Sequence, residues 1–217
     1  MSMFRVRHAV SPPIRAAFAP PRVAPELDGE TMGTRWSVVL VAGPAFALAP
    51  VRAALERVLD GIVAQMSHWE PGSDLSRFNR SAGDAWVELP EELCRVLACA
   101  LRIADETGGA FDPAVSALVA LWGFGPRGAG PRRTLPSADE VARARGRGGW
   151  RSIRFDPAAR RASRPGGVEL DFSGIAKGYA VDQVAGALAA LGIADFLVEI
   201  GGELRARGCR SDGRPWQ

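Results

Sequence analysis

Apolar side chains return at helical spacing in several separated stretches. From Pro50 onward Val51, Ala54, Leu55, Val58, Leu59, Ile62, Val63 and Met66 fall on one stripe, predicting an amphipathic helix entered through a proline. The same period opens at Pro90 with Leu93, Val96, Leu97, Ala100, Leu101 and Ala104, and stops at Gly108-Gly109. A third apolar helix is expected from Ala114 to Trp122, ended by Gly123-Phe124-Gly125-Pro126. Ser137 and Glu140 have the spacing of a capping box ahead of a short polar helix. A further helix is expected from Gly174 to about Leu191, with Ala176, Ala180, Val184, Ala187, Leu188 and Leu191 inward.

Strand-like segments lie between these stripes. A hairpin-like region starts at Glu26, its clearest strand running from Thr31 to Val41. Short strands are expected near Ile153 and Val168, and Gly166 to Phe172 alternates apolar and polar. Phe196 to Ile200 reads as a strand, Gly201-Gly202 as a turn, and Glu203 to Arg207 as the start of another strand. The segment from Ser67 to Asn79 reads as a polar loop, and Gly213 to Gln217 as a turn entering a strand. No repeat period appears and strands do not alternate regularly with helices, so the expected class is α+β rather than a doubly wound sheet.

Composition narrows this picture. The 217 residues suit one substantial core, and 47% hydrophobic with 24% charged residues is a globular balance. Residues 1–25, with several arginines and prolines and no continuous apolar core, read as a disordered leader, and 26–217 as a single domain. The formal charge of +3 comes without a basic run interleaved with aromatics, so no nucleic-acid partner is expected. No apolar run is long enough to span a bilayer, and the lack of a signal points to the cytoplasm. Cys94, Cys99 and Cys209 form no C-x-x-C pair and are odd in number, which argues for buried thiols rather than disulfides or zinc.

The candidate chemistry centres on Asp171-Phe172-Ser173-Gly174-Ile175-Ala176-Lys177-Gly178-Tyr179, which holds the sole lysine and the sole tyrosine of the chain. A strand ending in an aspartate, Ser173 as a helix cap, and a lysine in the first helical turn together favour phosphate. The stretch is neither a P-loop nor a G-x-G-x-x-G fingerprint, and an ordinary strand-to-helix turn is the plainer alternative. Three other turns share its character: Met32-Gly33-Thr34, the Ser67–Asn79 segment, and Ala110-Phe111-Asp112-Pro113. Met32 and Trp69 offer polarizable surface for a flat ring, against core filling for the one and half-buried anchoring for the other. Asp112 can cap the third helix, Phe78 and Asn79 can simply close their loop, and His68, with no second histidine nearby, reads as a surface residue. From the residues alone the expectation is a phosphate or nucleotide site.

Taken in order, five of these pieces resemble the ApbE family, the FAD:protein FMN transferases. They are T-M-G-T-R-W-S-V from Thr31, M-S-H-W-E-P-G-S-D-L-S-R-F-N from Met66, and G-G-A-F-D-P-A-V-S-A-L-V-A-L-W-G-F-G from Gly108. L-D-F-S-G-I-A-K-G-Y-A-V-D from Leu170 and L-V-E-I-G-G-E-L-R-A-R-G from Leu197 complete the set. The resemblance implies mixed α/β layers with a mainly antiparallel sheet. It also implies Mg²⁺-dependent transfer of FMN from FAD to a Thr or Ser hydroxyl of a target flavoprotein, with release of AMP. By position Met32 and Trp69 match residues flanking the isoalloxazine, although many members carry Tyr in place of Trp69. Ala110, Phe111 and Asp112 match a flavin-contacting turn, and Asp171 and Lys177 match further FAD contacts. Gly174 falls where the family gives an oxygen to the metal, here only a backbone carbonyl. No residue is assigned as the catalytic base.

The family's H-x-x-D-P-x-T-G segment, which resembles a source of metal ligands and of a base, has no match here, since no histidine follows His68. The domain is therefore expected to be incomplete at its C-terminal side, and the chain by itself to be inactive in transfer. A non-catalytic FAD-binding module and a structural or interaction protein that keeps only the fold are the competing expectations.

Overall fold

The computed structural model describes residues 23–128, 130 and 134–217. Most of the expected leader, up to residue 22, lies outside the described residues, and so does part of the basic loop read over 127–133.

Four antiparallel strands form the main sheet in the order β1 (Glu26–Thr31), β2 (Thr34–Leu40), β6 (Phe196–Ile200), β7 (Glu203–Arg207). The strand read as continuous from Thr31 to Val41 is interrupted near its start. Thr31 pairs with Thr34 across a two-residue turn in which Met32 and Gly33 both have positive φ, 50° and 71°. Such a turn has the twist that antiparallel strands need. The Gly201-Gly202 turn between β6 and β7 has the same form, with φ of 54° and 95°.

In the register Trp36↔Ile200, Val38↔Val198 and Leu40↔Phe196, alternate side chains of β2 and β6 point to one face, and all six are buried. Helix α1 (Leu48–Met66) and helix α6 (Ala176–Ala190) pack against each other and against this sheet. They bring Val51, Leu55, Leu59 and Ile62 from one and Val181, Val184 and Leu188 from the other into the core. Helix α3 (Glu91–Glu106) packs on α1 and buries Leu93, Val96, Leu97, Ala100 and Ala104, as its stripe predicts. A second, smaller antiparallel sheet takes the order β3 (Val87–Glu88), β5 (Arg161–Ser163), β4 (Arg154–Asp156). The α+β, mainly antiparallel architecture expected from the sequence is the one observed.

Several local expectations change. The polar segment up to Asn79 holds a helix, α2 (Asp74–Arg80), whose N-cap Ser73 accepts from the Ser76 N–H at 3.0 Å. The apolar helix expected over 114–122 is α4 (Ser116–Leu121), and none of its residues is fully buried. Asp112 does not cap it: the N-cap position belongs to Val115. Helix α5 (Ala138–Arg145) starts with the predicted capping box between Ser137 and Glu140. Residues 166–172 alternate in burial only from 167 to 170, since 166 and 167 are both exposed and 170–172 all buried, and they belong to no strand. Ser173 does not cap α6, which begins at Ala176 with no side-chain cap. The last residues make a turn around Arg210–Gly213 and no strand. Of the three thiols only Cys94 is buried, while Cys209 is exposed. Among the described residues no helix is long and apolar enough to cross a membrane.

Candidate functional site

Both hairpin turns of the main sheet lie at one end, because β2 and β6 run antiparallel and the Gly201 N–H donates to the Arg35 carbonyl at 3.1 Å. The first turn of α6 reaches the same place, where the Lys177 ammonium donates to the Gly201 carbonyl at 2.8 Å. A Cβ on Gly201 would stand 2.7 Å from the Thr34 methyl and 3.1 Å from the Lys177 Cδ, and its φ of +54° also excludes most side chains. Lys177 has no carboxylate within ion-pair distance among the described residues. Its other N–H donors are thus available to a ligand. They border a cavity of about 140 Å³ walled by Met32, Ile62, Val63, Met66, Trp69 and Phe172.

Trp69 is set in place by serines. The Ser67 hydroxyl accepts from the Trp69 and Glu70 N–H groups at 3.1 and 3.2 Å. The Ser67 carbonyl in turn accepts from the Ser76 hydroxyl at 3.2 Å and, more closely, from the Ser73 hydroxyl. The stitched turn leaves the indole 62% exposed. Trp69 and His68 separate the first cavity from a larger one of about 450 Å³. Contrary to its reading as a surface residue, the His68 side chain is only 15% exposed, with Nδ1 3.6 Å from Asp171 Oδ1. That separation is an electrostatic contact rather than a hydrogen bond.

Asp171 is 6% exposed and faces the larger cavity. Its Oδ1 accepts from the Ser173 N–H at 2.8 Å, while its own N–H donates to the Pro113 carbonyl at 2.7 Å. Among the described residues no hydrogen bond reaches its other oxygen. Arg80, Arg127 and Arg147 also line this cavity, Arg127 being paired with Glu169. A third cavity, of about 440 Å³, adjoins the first through Ser173 and Lys177, and Gly174, Tyr179, Asp182 and Glu203 line it.

Met32, Trp69 and Lys177 thus converge on one cavity, Asp171 lies across the His68–Trp69 wall from them, and Gly174 lines the third space. The 110–112 turn lines none of the three. Ala110 is exposed, and Phe111 packs its ring where a Cβ on Gly174 would lie, 3.2 Å away. Asp112 Oδ1 accepts from the Ala114 and Trp150 N–H groups at 2.8 and 3.0 Å, which pins this turn to the 3-10 turn at 150–152. His68, Asn79 and the three cavity arginines were not singled out by their spacing. The adjacency of His68 to Trp69 was the one available signal. Among the described residues no group of three His, Cys, Asp or Glu side chains forms a metal site.

Comparison with known proteins bears on the same segments. Residues 32–217 match the ApbE family. The chain is 35% identical over 197 residues to the FAD:protein FMN transferase of Haemophilus influenzae, covering 88% of this chain and 56% of the relative. It is also 35% identical to the protein of that name from Vibrio cholerae, covering 88% and 57%. The chain therefore spans a little more than half the length of these curated relatives. The structure superposes on the apo flavinyl transferase ApbE of Pseudomonas stutzeri with a TM-score of 0.82 at 35% identity, over 90% of this chain and 64% of that one. With the Vibrio cholerae flavin transferase ApbE the TM-score is 0.84 at 33% identity, over 90% and 63%. A family match that runs from the Met32 turn to the last residue, joined to this agreement in fold, shows that the chain belongs to the ApbE family.

Proposed function

We propose that this chain carries the FAD-binding part of an FAD:protein FMN transferase, which moves FMN from FAD to a Thr or Ser hydroxyl of an acceptor flavoprotein. In that reaction the acceptor oxygen bonds to the FMN phosphorus, the pyrophosphate P–O bond breaks, AMP departs and the hydroxyl proton is lost. The observation that carries the reading is the convergence on one cavity of a thioether, an exposed indole and a lysine that has no carboxylate partner among the described residues. Met32 and Trp69 present soft faces to the isoalloxazine. Lys177 meets the pyrophosphate as a point charge, assisted by the N-terminal end of α6. Asp171, nearly buried and with one oxygen unpartnered among the described residues, accepts a hydrogen bond from an N–H of the ligand.

Magnesium, when bound, would neutralise phosphate oxygens. In this chain Gly174 offers one carbonyl and no cluster of carboxylates stands around it among the described residues. An octahedral oxygen site needs more, so these residues do not make a magnesium site by themselves.

FAD and riboflavin titrations, followed by tryptophan quenching, test the reading. Trp69→Ala is expected to weaken both ligands about tenfold, the scale of a lost ring stack. Lys177→Met is expected to weaken FAD and spare riboflavin, which has no phosphate. Failure of the parent chain to bind FAD, or equal loss of both ligands in Lys177→Met, would overturn it.

A further inference from the structure

Helix α2 spans seven residues, yet both of its ends are tied to walls of the cavities. At its N-terminal end the Ser73 and Ser76 hydroxyls hold the Ser67 carbonyl, immediately before His68 and Trp69. At its C-terminal end the Asn79 carboxamide meets the backbone of Leu170 twice. Nδ2 donates to the Leu170 carbonyl at 2.8 Å, and Oδ1 accepts from the Leu170 N–H at 2.9 Å. A carboxamide therefore takes up the backbone N–H and carbonyl of Leu170 as a neighbouring strand would, in a segment, 166–172, that belongs to no sheet. Leu170 directly precedes Asp171.

The C-terminal end of α2 is itself fixed. Arg164, 4% exposed, donates from Nε to the Phe78 carbonyl at 3.3 Å and from Nη2 to the Ser81 carbonyl at 3.0 Å, and closely to that of Asn79. Its positive charge also suits a helix C-terminus.

We propose that Asn79 is a positioning residue for the Asp171 carboxylate. Through it, α2 acts as a spacer that sets Asp171 against His68 and Trp69, and so sets the orientation of the bound ring. The ligand part of this inference rests on the flavin reading above; the spacing part does not. The 3.6 Å separation of Asp171 Oδ1 and His68 Nδ1 is the local measure of that spacing.

The experiment compares the 217-residue chain with Asn79→Asp, Asn79→Ser and a core control, Leu97→Ala, reading three signals. These are the melting temperature, the NMR resonances of the His68 ring (assigned with His8→Gln) and affinity for FAD and riboflavin. Asn79→Asp at neutral pH puts a carboxylate oxygen against the Leu170 carbonyl. The expected result is a shifted His68 resonance and at least a tenfold loss of affinity for FAD and riboflavin alike. As the pH falls the introduced carboxyl takes up a proton and again offers one donor and one acceptor in the carboxamide's geometry. Affinity relative to the parent chain at the same pH then recovers. Asn79→Ser shows the loss without the recovery, and Leu97→Ala lowers the melting temperature while leaving His68 and ligand affinity in place. Unmoved His68 resonances in both Asn79 variants would overturn the proposal whatever the flavin result. Moved resonances together with no FAD binding by the parent chain would support the spacer and overturn the flavin reading.

Discussion

Tyr179, the sole tyrosine, has a buried phenol oxygen with no well-formed hydrogen bond among the described residues, although the Arg95 guanidinium lies near enough to favour its ionised form. Burial pushes its ionisation upward, with Glu92 acting in the same direction. Because the folded value is raised, the neutral phenol's contribution to stability is complete below the unfolded value near 10. It is lost as the pH rises through the folded value. A 295 nm absorbance titration reads this residue without interference and is expected to show a midpoint above 10. Tyr179→Phe removes a buried hydroxyl that makes no well-formed hydrogen bond among the described residues. It is expected to leave stability unchanged or raise it by about 1 kcal/mol, as measured by urea unfolding. At this scale the sequence was informative about identity and silent about environment. Lys177 drew notice as a lone lysine between glycines, and Met32 and Trp69 by their polarizable faces. That His68 is mostly buried beside Asp171, and that Asp112 fastens a turn, depended on neighbours distant in the chain.

At the scale of elements, the helices with a full apolar stripe were legible, because 3.6-residue periodicity is a local property. Helices α1 and α3 bury most of the side chains their stripes name, with Ala54, Val58, Val63 and Leu101 only partly buried, and the α5 capping box forms as written. What escaped were elements whose backbone partners are tertiary. Helix α2 carries no stripe, and its C-terminal carbonyls are satisfied by Arg164. The 166–172 run alternates in sequence like a strand, but Leu170 bonds the Asn79 side chain and the Val168 and Asp171 N–H groups reach the Pro165 and Pro113 carbonyls, so no strand ladder forms. Burial, with a smaller effect from Arg127, lowers the proton affinity of the Arg164 guanidinium, yet no carboxylate pairs with it among the described residues. Arg164→Met would remove the donor to the Asn79 and Ser81 carbonyls, while the Phe78 carbonyl keeps the Ser81 N–H and hydroxyl. It is expected to cost about 3 kcal/mol by urea unfolding, the scale of hydrogen bonds to a charged group. Arg164→Lys is expected to restore only part of this, since an ammonium cannot match the planar fork.

At the scale of the molecule, β2 and β6 are the interior strands of the main sheet and carry its buried row, while every residue of β7 is exposed. Hydrogen exchange is therefore expected to be slowest in β2 and β6, with β7 amides exchanging ~100-fold faster through local opening. Equal protection across the four strands would contradict this ordering.

The sequence alone determined the α+β class, the positions of the striped helices, the glycine turn at 201–202 and the family's five segments, all of which rest on local period, turn chemistry or residue order. The tertiary structure decided that the Met32 turn, the Gly201 turn and Lys177 share one end of a sheet. It also decided that the Asn79 carboxamide meets the backbone of Leu170 and that Asp171 stands 3.6 Å from His68. Those placements follow from strand pairing and side-chain-to-backbone bonds between residues far apart in the chain, which no local pattern encodes.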